Sequence, residues 1–166
     1  EMHPLDIGIV MPDRQYSVFF SDVRVPAERL IGEEHEGFRY LFDALNSERL
    51  LAAAWALGVG DYALAKAVEY ARERAPFGTA IGAYQGIQHP LAMAKAKLDS
   101  ARLVMYTASQ SFDAGGNAGY LANTAKLLAS TAAVEACDAA IQTHGGYAFD
   151  NGYDVHTLWG IARLLK

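Results

Sequence analysis

The sequence predicts an all-α fold, an up-down-up-down four-helix bundle with a short β segment on its N-terminal side. Three observations predict it. Apolar residues recur at steps of four and three through three long stretches, about 47–74, 84–113 and 118–144, the period of helices that bury a face. The breaks between them are short and rich in helix-stopping residues: Pro76 with Gly78 and Gly82, then Gly115, Gly116 and Asn117, then Gly145 and Gly146. Only Tyr16–Phe20 and Val23–Val25 have the β-branched or alternating character of strands. Two or three strands of that size need helices, or a larger sheet, to pack on.

Taken in order, residues 1–15 carry little signal beyond Pro4 and Pro12. The strands follow, then a turn-rich connector, Pro26 to Gly32. Gly37 to Leu45 is a short amphipathic helix through Phe38, Leu41, Phe42 and Leu45. Ser47 is placed to cap the next helix, its hydroxyl standing just before an uninterrupted apolar run. Leu50, Ala54, Leu57, Leu64, Val68 and Ala71 form one stripe along that helix, with Asp61 in its single gap. Leu51, Trp55, Gly58, Tyr62 and Ala65 form a second stripe beside it. Two stripes predict a helix covered on most sides. Pro76 ends it, because proline cannot continue the hydrogen-bond ladder.

The second helix keeps its spacing through Ile87, Leu91, Ala94, Leu98, Ala101 and Met105, with Lys95 and Asp99 as an i,i+4 pair. Pro90 belongs in its first turn or at a kink. One face of the third helix is almost wholly small: Ala122, Ala125, Ala129, Ala132, Ala136 and Ala139. Small faces allow close approach, so this helix is expected at the centre. Val155 opens a fourth helix. The Trp55–Tyr62 stripe and the alanine face together exceed what one small bundle buries, so self-association is expected.

Composition narrows the function. With 166 residues the chain is long enough for one domain with a real core. A net charge of -5 argues against nucleic acid and anionic membrane surfaces as bulk partners. No apolar run approaches the roughly 20 residues of a membrane span. The single cysteine, Cys137, excludes an internal disulfide and suits a reducing compartment. The absence of a leader pattern at Glu1, and the helical pattern still running at Lys166, are what a piece of a longer protein would show. His-x-x-x-His, Cys-x-x-Cys, Gly-x-Ser-x-Gly and phosphate-loop patterns are all missing, so no metal site is expected.

Three groups of residues could carry chemistry. Glu48 and Arg49 can be an ordinary acid in a first helical turn and a solvated arginine, or a carboxylate base beside a buried apolar wall that raises its pKa. Arg74, Phe77 and Gln85 can be a helix end, a core plug and a helix start. A glycine-flanked loop with a guanidinium, an aromatic ring and an amide also suits an anionic ligand with a flat ring. Gln142, His144, Gly145 and Gly146 can be a plain helix ending, but two adjacent glycines exceed what a C-cap requires and leave room for a ligand near the backbone.

Four motifs in order resemble the acyl-CoA dehydrogenase family: Phe19-Phe-Ser-Asp-Val-Arg-Val-Pro26; Asn46-Ser-Glu-Arg49; Arg74-x-x-Phe77-Gly78 with Gln85 eight residues past the phenylalanine; and Gln142-Thr-His-Gly145-Gly146-Tyr147. The resemblance covers essentially the whole chain, and the Arg-Phe-Gly-Gln set is its most specific part. It implies that residues 1–33 are the tail of a middle β domain with a connector, and that residues 34–166 are the C-terminal helical bundle with its fourth helix truncated. It implies FAD as cofactor, with Arg74, Phe77, Gln85, Gln142, Gly145 and Gly146 along the diphosphate and adenosine half of a neighbouring subunit's FAD. It also implies a homodimer or homotetramer, an acyl-CoA substrate, electron-transfer flavoprotein as acceptor, and a bacterial cytoplasm or mitochondrial matrix.

The reaction implied is α,β-dehydrogenation: a carboxylate takes the α-proton and the β-hydrogen leaves as hydride. Members of the family place the base either in a Glu-Gly-Thr-like motif after the fourth helix or at the start of the long helix. Glu48 occupies the second place, with Asn46 and Arg49 beside it as substrate-binding residues. Gly160-Ile161 stand where the family usually has Arg-Asp in its fourth helix. Two other readings remain at this point: a flavin oxidase of the same superfamily, acyl-CoA or nitroalkane type, and a non-catalytic oligomerisation bundle.

Overall fold

The structure is a computed structural model describing residues 1–10 and 13–166, without the side chain of Asp43; Pro12 lies outside the described residues. Four helices make the expected bundle: α1, Gly37–Glu73; α2, Gln85–Asp113; α3, Gly119–His144; and α4, Val155–Leu165. Before them, β1 (Met2–Pro4) pairs antiparallel with β2 (Tyr16–Val18), Met2 opposite Val18 and Pro4 opposite Tyr16. Val23–Val25 forms no strand. Its β-branched residues have no neighbouring strand to pair with, and propensity without a partner makes no sheet. The partner that β2 did find, Met2–Pro4, has too few residues to show alternation.

The cross-section is a rhombus. α1 and α3 touch directly, and α2 and α4 each touch both without touching one another. The alanine face explains the short diagonal. Ala122, Ala125, Ala129, Ala132, Ala133 and Ala136 are all buried, so the α3 backbone comes close to α1. At Gly60 a Cβ would sit 2.7 Å from Leu98 Cδ2 and 3.1 Å from Ala133 Cα. Space there favours glycine. Asn46 beside Gly119, Gly60 against Ala133, and Tyr70 stacked on His144 show the two helices running parallel and in step.

Four expectations change. First, the short and long helices are one: α1 runs unbroken through residues 45–47. Ser47 is not an N-cap; its Oγ donates back to the Ala44 carbonyl at 2.9 Å, the alternative use of a serine inside a helix. Glu48 therefore stands about three turns into α1, beyond the reach of the dipole at the helix start. Second, Pro90 is the sixth residue of α2 rather than a first-turn residue, and it removes the helical bond to the Gly86 carbonyl.

Third, the two stripes of α1 differ in fate. Leu50, Leu57, Leu64 and Ala71 are buried, whereas Leu51, Trp55, Gly58, Tyr62 and Ala65 are all exposed. The helix is covered on one side only by this chain. Asp61, the polar gap, has a partner: Arg102 of α2 donates to it at 2.6 Å. Fourth, α1 is long and apolar enough, by length and composition, to cross a membrane. Its inner residues Ala53, Ala56, Leu57, Ala63 and Ala67 are buried against the other helices, the position of a core helix.

The departure at Gly160 also has a place. A Cβ there would lie 3.5 Å from Ile9 Cγ2, so the segment after β1 rests on α4 at its side-chain-free position. Ile161 packs against the core.

Candidate functional site at two ends of one helix

The candidate residues fall at opposite ends of α1. Glu48 and Arg74 are 26 positions apart, about 39 Å along the axis at ~1.5 Å per residue.

At the first end, Arg49 Nη1 donates to Asn46 Oδ1 at 3.3 Å, and its guanidinium lies 5.7 Å from the Phe42 ring centroid. Asn46, Ser47 and Arg49 are half-buried. Asn46 borders Gly119 at the start of α3. Glu48 turns about 100° away from Arg49 around the helix. It is exposed and has no hydrogen bond or ion pair among the described residues. The apolar wall expected beside it is not supplied by this chain's other helices. What the chain does supply is on the same side of α1: Leu51 and Trp55, one and two turns on, both exposed.

At the second end, Arg74 caps α1. Its N–H donates to the Tyr70 carbonyl at 2.9 Å, and its own carbonyl accepts from Ile81 N at 2.8 Å, closing the loop. Gly78 makes the turn with φ +81°, a left-handed conformation that suits glycine. Phe77 is carried outward and is 85% exposed. It plugs no core of this chain. Gly82 lies against α1, where a Cβ would meet the Ala71 carbonyl oxygen at 2.9 Å. Gln85 is the first residue of α2 and is exposed.

The end of α3 returns to the same place. Gly145 has φ +60° and needs glycine for its backbone. Gly146 has neither a positive φ nor any atom within 4 Å of a Cβ. The chain's own packing does not require glycine there, and the space above it is open. Tyr147 follows, and the Arg74 guanidinium lies 5.6 Å from its ring centroid. Gln142, exposed in the last turn of α3, borders a groove of about 560 Å³ with Gly86, Pro90 and Met93 of α2.

The structure thus brings Arg74 to Gly145 and Gly146 through Tyr147, and Gln142 to the first turns of α2. It leaves Phe77 standing free and puts Asn46, Glu48 and Arg49 in a separate cluster. An aromatic cluster at the second end, Tyr70, His144, Tyr147 and Tyr153, was not assigned from sequence. Tyr70 and Tyr153 are 83 residues apart, and no spacing rule joins them. Among the described residues there is no group of His, Cys, Asp or Glu that could hold a metal ion.

Residues 35–166 match the family model described as acyl-CoA dehydrogenase, C-terminal domain. The chain belongs to the acyl-CoA dehydrogenase family. A Mycobacterium bovis relative named acyl-CoA dehydrogenase fadE12 is 39% identical over 165 residues, 98% of this chain and 42% of the relative. A glutaryl-coenzyme A dehydrogenase structure, in complex with glutaryl-CoA, superposes with a TM-score of 0.93 at 29% identity, over 99% of this chain and 42% of the other. PigA with FAD and proline superposes with a TM-score of 0.83 at 28% identity, over 95% and 42%. The chain therefore spans about two-fifths of the length of these acyl-CoA dehydrogenase relatives.

Proposed function

We propose that the whole protein is an FAD-dependent acyl-CoA dehydrogenase whose reaction site combines the first end of α1 from one subunit with the second end from another. The separation of the two ends carries the proposal. Two clusters about 39 Å apart on one helix are too distant to hold the reacting carbon and the diphosphate of a single dinucleotide. Two copies remove the difficulty, because each contributes the end the other needs.

At the first end, Glu48 is the base that accepts the α-proton. It has no competing side-chain partner among the described residues, and Arg49 is already engaged by Asn46 and Phe42, so the carboxylate is not neutralised by its neighbour. Asn46 and Arg49 bind polar groups of the substrate. The remaining part of the protein, packed over Leu51 and Trp55, supplies the apolar cover that removes water and strengthens the carboxylate as a base. At the second end, Arg74 binds the cofactor diphosphate, Phe77 and Gln85 its adenosine half, and Gln142, Gly145 and Gly146 border it. An exposed guanidinium beside two glycines fits a diphosphate in charge and in backbone access. When bound, FAD supplies the hydride acceptor. Electron-transfer flavoprotein is the proposed electron acceptor of the whole enzyme.

Residues 1–33 are proposed as the edge of the preceding β domain. Their described side chains are exposed except for Ile9 and Ser17, and a two-stranded sheet is not stable alone. The outer faces of α2 and α3, with Met93, Leu103, Tyr106, Leu127 and Leu128 exposed, are proposed as the subunit contact. The alanine face that suggested self-association is consumed inside the bundle.

Mixed oligomers test the proposal. Subunits carrying Glu48→Gln and subunits carrying Arg74→Ala are each expected to be impaired as homo-oligomers. When the full-length proteins are co-expressed and the hybrid purified, activity with acyl-CoA should reappear, because one site in each hybrid pair receives Glu48 and Arg74 intact. A hybrid no better than its parents would place both residues in sites of a single chain, or outside the site altogether.

A further inference from the structure

We propose that His144 is a positioning residue for the cofactor end, holding the glycine turn and Arg74 in one place. It does so through its ring, not by touching the cofactor. The inference rests on the reading of Arg74, Gly145 and Gly146 as cofactor residues.

His144 is the last residue of α3 and is only 4% exposed. Its ring is stacked on Tyr70 of α1, with centroids 4.3 Å apart and planes 25° apart. Tyr153, from the segment before α4, meets it edge-on at 5.3 Å and meets Tyr70 edge-on at 5.8 Å. Tyr147 is tilted against Tyr153 at 6.2 Å and carries the Arg74 guanidinium on its other contact. One continuous set of rings therefore joins the end of α1, the end of α3, the glycine turn and the entry to α4. His144 is its most buried member.

The polar atoms fix the ring in place. Nδ1 faces the Ala140 carbonyl at 2.8 Å and, because a carbonyl only accepts, donates to it. Nε2 has no protein partner. Nε2 is not fully buried, and His144 lines a cavity of about 390 Å³ with Lys66, Glu69, Glu73 and Asp154. Gly145 follows immediately, with φ +60°. A turn that begins on a ring held by two tyrosines and a backbone bond starts from one orientation. That suits Gly146, which follows in the turn, and the Arg74 guanidinium, which rests on Tyr147.

The test uses the full-length protein with FAD, reading the dissociation constant of FAD by flavin fluorescence below the melting temperature. His144→Ala should weaken FAD about tenfold, the scale of losing two aromatic contacts, whereas His144→Phe, which keeps a ring, should stay within about threefold of the parent. Leu98→Ala serves as a control for plain loss of packing, since Leu98 is fully buried in the middle of the bundle; it should lower the melting temperature and leave FAD affinity unchanged. Equal weakening by His144→Ala and Leu98→Ala would overturn the proposal in favour of general stability. Weakening by His144→Phe as large as by His144→Ala would overturn it in favour of a direct contact through the ring nitrogens. If Arg74→Ala leaves FAD affinity unchanged, the cofactor reading itself fails, a result separate from either outcome at His144.

Discussion

The two ends of α1 are built to different degrees. At the second end the chain supplies its own scaffold: a closed loop from Arg74 to Ile81, a glycine held left-handed, and four aromatic rings from four parts of the chain. At the first end it supplies only three side chains on one helix and an uncovered stripe above them. The difference teaches where each site is completed. The second end, proposed to hold the cofactor, is nearly preformed within the bundle. The first end, where Glu48 is proposed as the base, needs more protein, because a general base works only when water is removed around it. Between them runs a packed middle whose task is spacing. The predictions below test this division, beginning with the strongest effect.

Glu48→Gln keeps the shape of the side chain and removes its ability to accept a proton. In the full-length enzyme, anaerobic bleaching of the flavin by acyl-CoA should slow by about two to four orders of magnitude, the span for a positioned general base, while FAD content stays the same. An unchanged rate would make Glu48 an exposed acid on a helix and nothing more. Arg74→Ala should do the converse. Loss of one charge-assisted contact costs about 1.5–3 kcal/mol, so FAD affinity should fall about ten- to a hundredfold. If each substitution damaged both properties equally, the two ends would not be separable, and the comparison would break.

The division was only partly legible in the sequence, for reasons that can be located. Helix ends written in proline and glycine were readable: Pro76, Gly115 and Gly145 stop or turn the chain by local sterics alone, and α2, α3 and α4 lie close to where the periodicity puts them. The start of α1 was not, because Ser47 has the same local options in a cap and inside a helix, and nothing around it breaks the helix. The stripes of α1 were identified as apolar, but periodicity does not say which partner covers a stripe, and Leu51, Trp55 and Tyr62 stay exposed. The glycine at position 60 gave no signal in sequence, since its need arises from Leu98 and Ala133 in other helices. The candidate site residues were read from motif order. The rings that hold one group of them together come from four parts of the chain and become visible only in three dimensions.

The middle should respond as packing alone. Gly60→Ala has two opposing effects. Alanine is favoured over glycine in a helix by about 1 kcal/mol, but its methyl would meet Leu98 and the Ala133 backbone at 2.7 and 3.1 Å, and overpacking costs about 1–3 kcal/mol. Leu98 Cδ2 can swing aside; the Ala133 Cα cannot without moving α3. The net expectation is destabilisation of up to about 2 kcal/mol, seen as a lower melting temperature of the full-length protein. FAD affinity and the rate of flavin bleaching should be unchanged below the transition. A stabilised variant would show that α1 and α3 cross less closely than 3.1 Å implies.

The smallest effect is expected at Asp61, the one charge set into the inner stripe of α1. It accepts from Arg102 Nη2 at 2.6 Å, and the two side chains are 40% and 30% exposed. The Arg102 guanidinium is held more firmly in its charged form by that carboxylate, yet both groups still reach solvent, so the pair contributes no more than about 1 kcal/mol. Asp61→Asn keeps the size and one acceptor oxygen and removes the charge. The melting temperature should fall slightly, and less in high salt, where the parent's pair is already screened. Removing Arg102 instead should also expose the apolar stem's contacts, so Arg102→Ala should cost more than Asp61→Asn, the excess being packing and insensitive to salt. If Asp61→Asn proved as damaging as Gly60→Ala, the pair would be acting as a buried ion pair rather than a half-solvated one, and the middle of α1 would contribute specific electrostatics to the bundle as well as spacing.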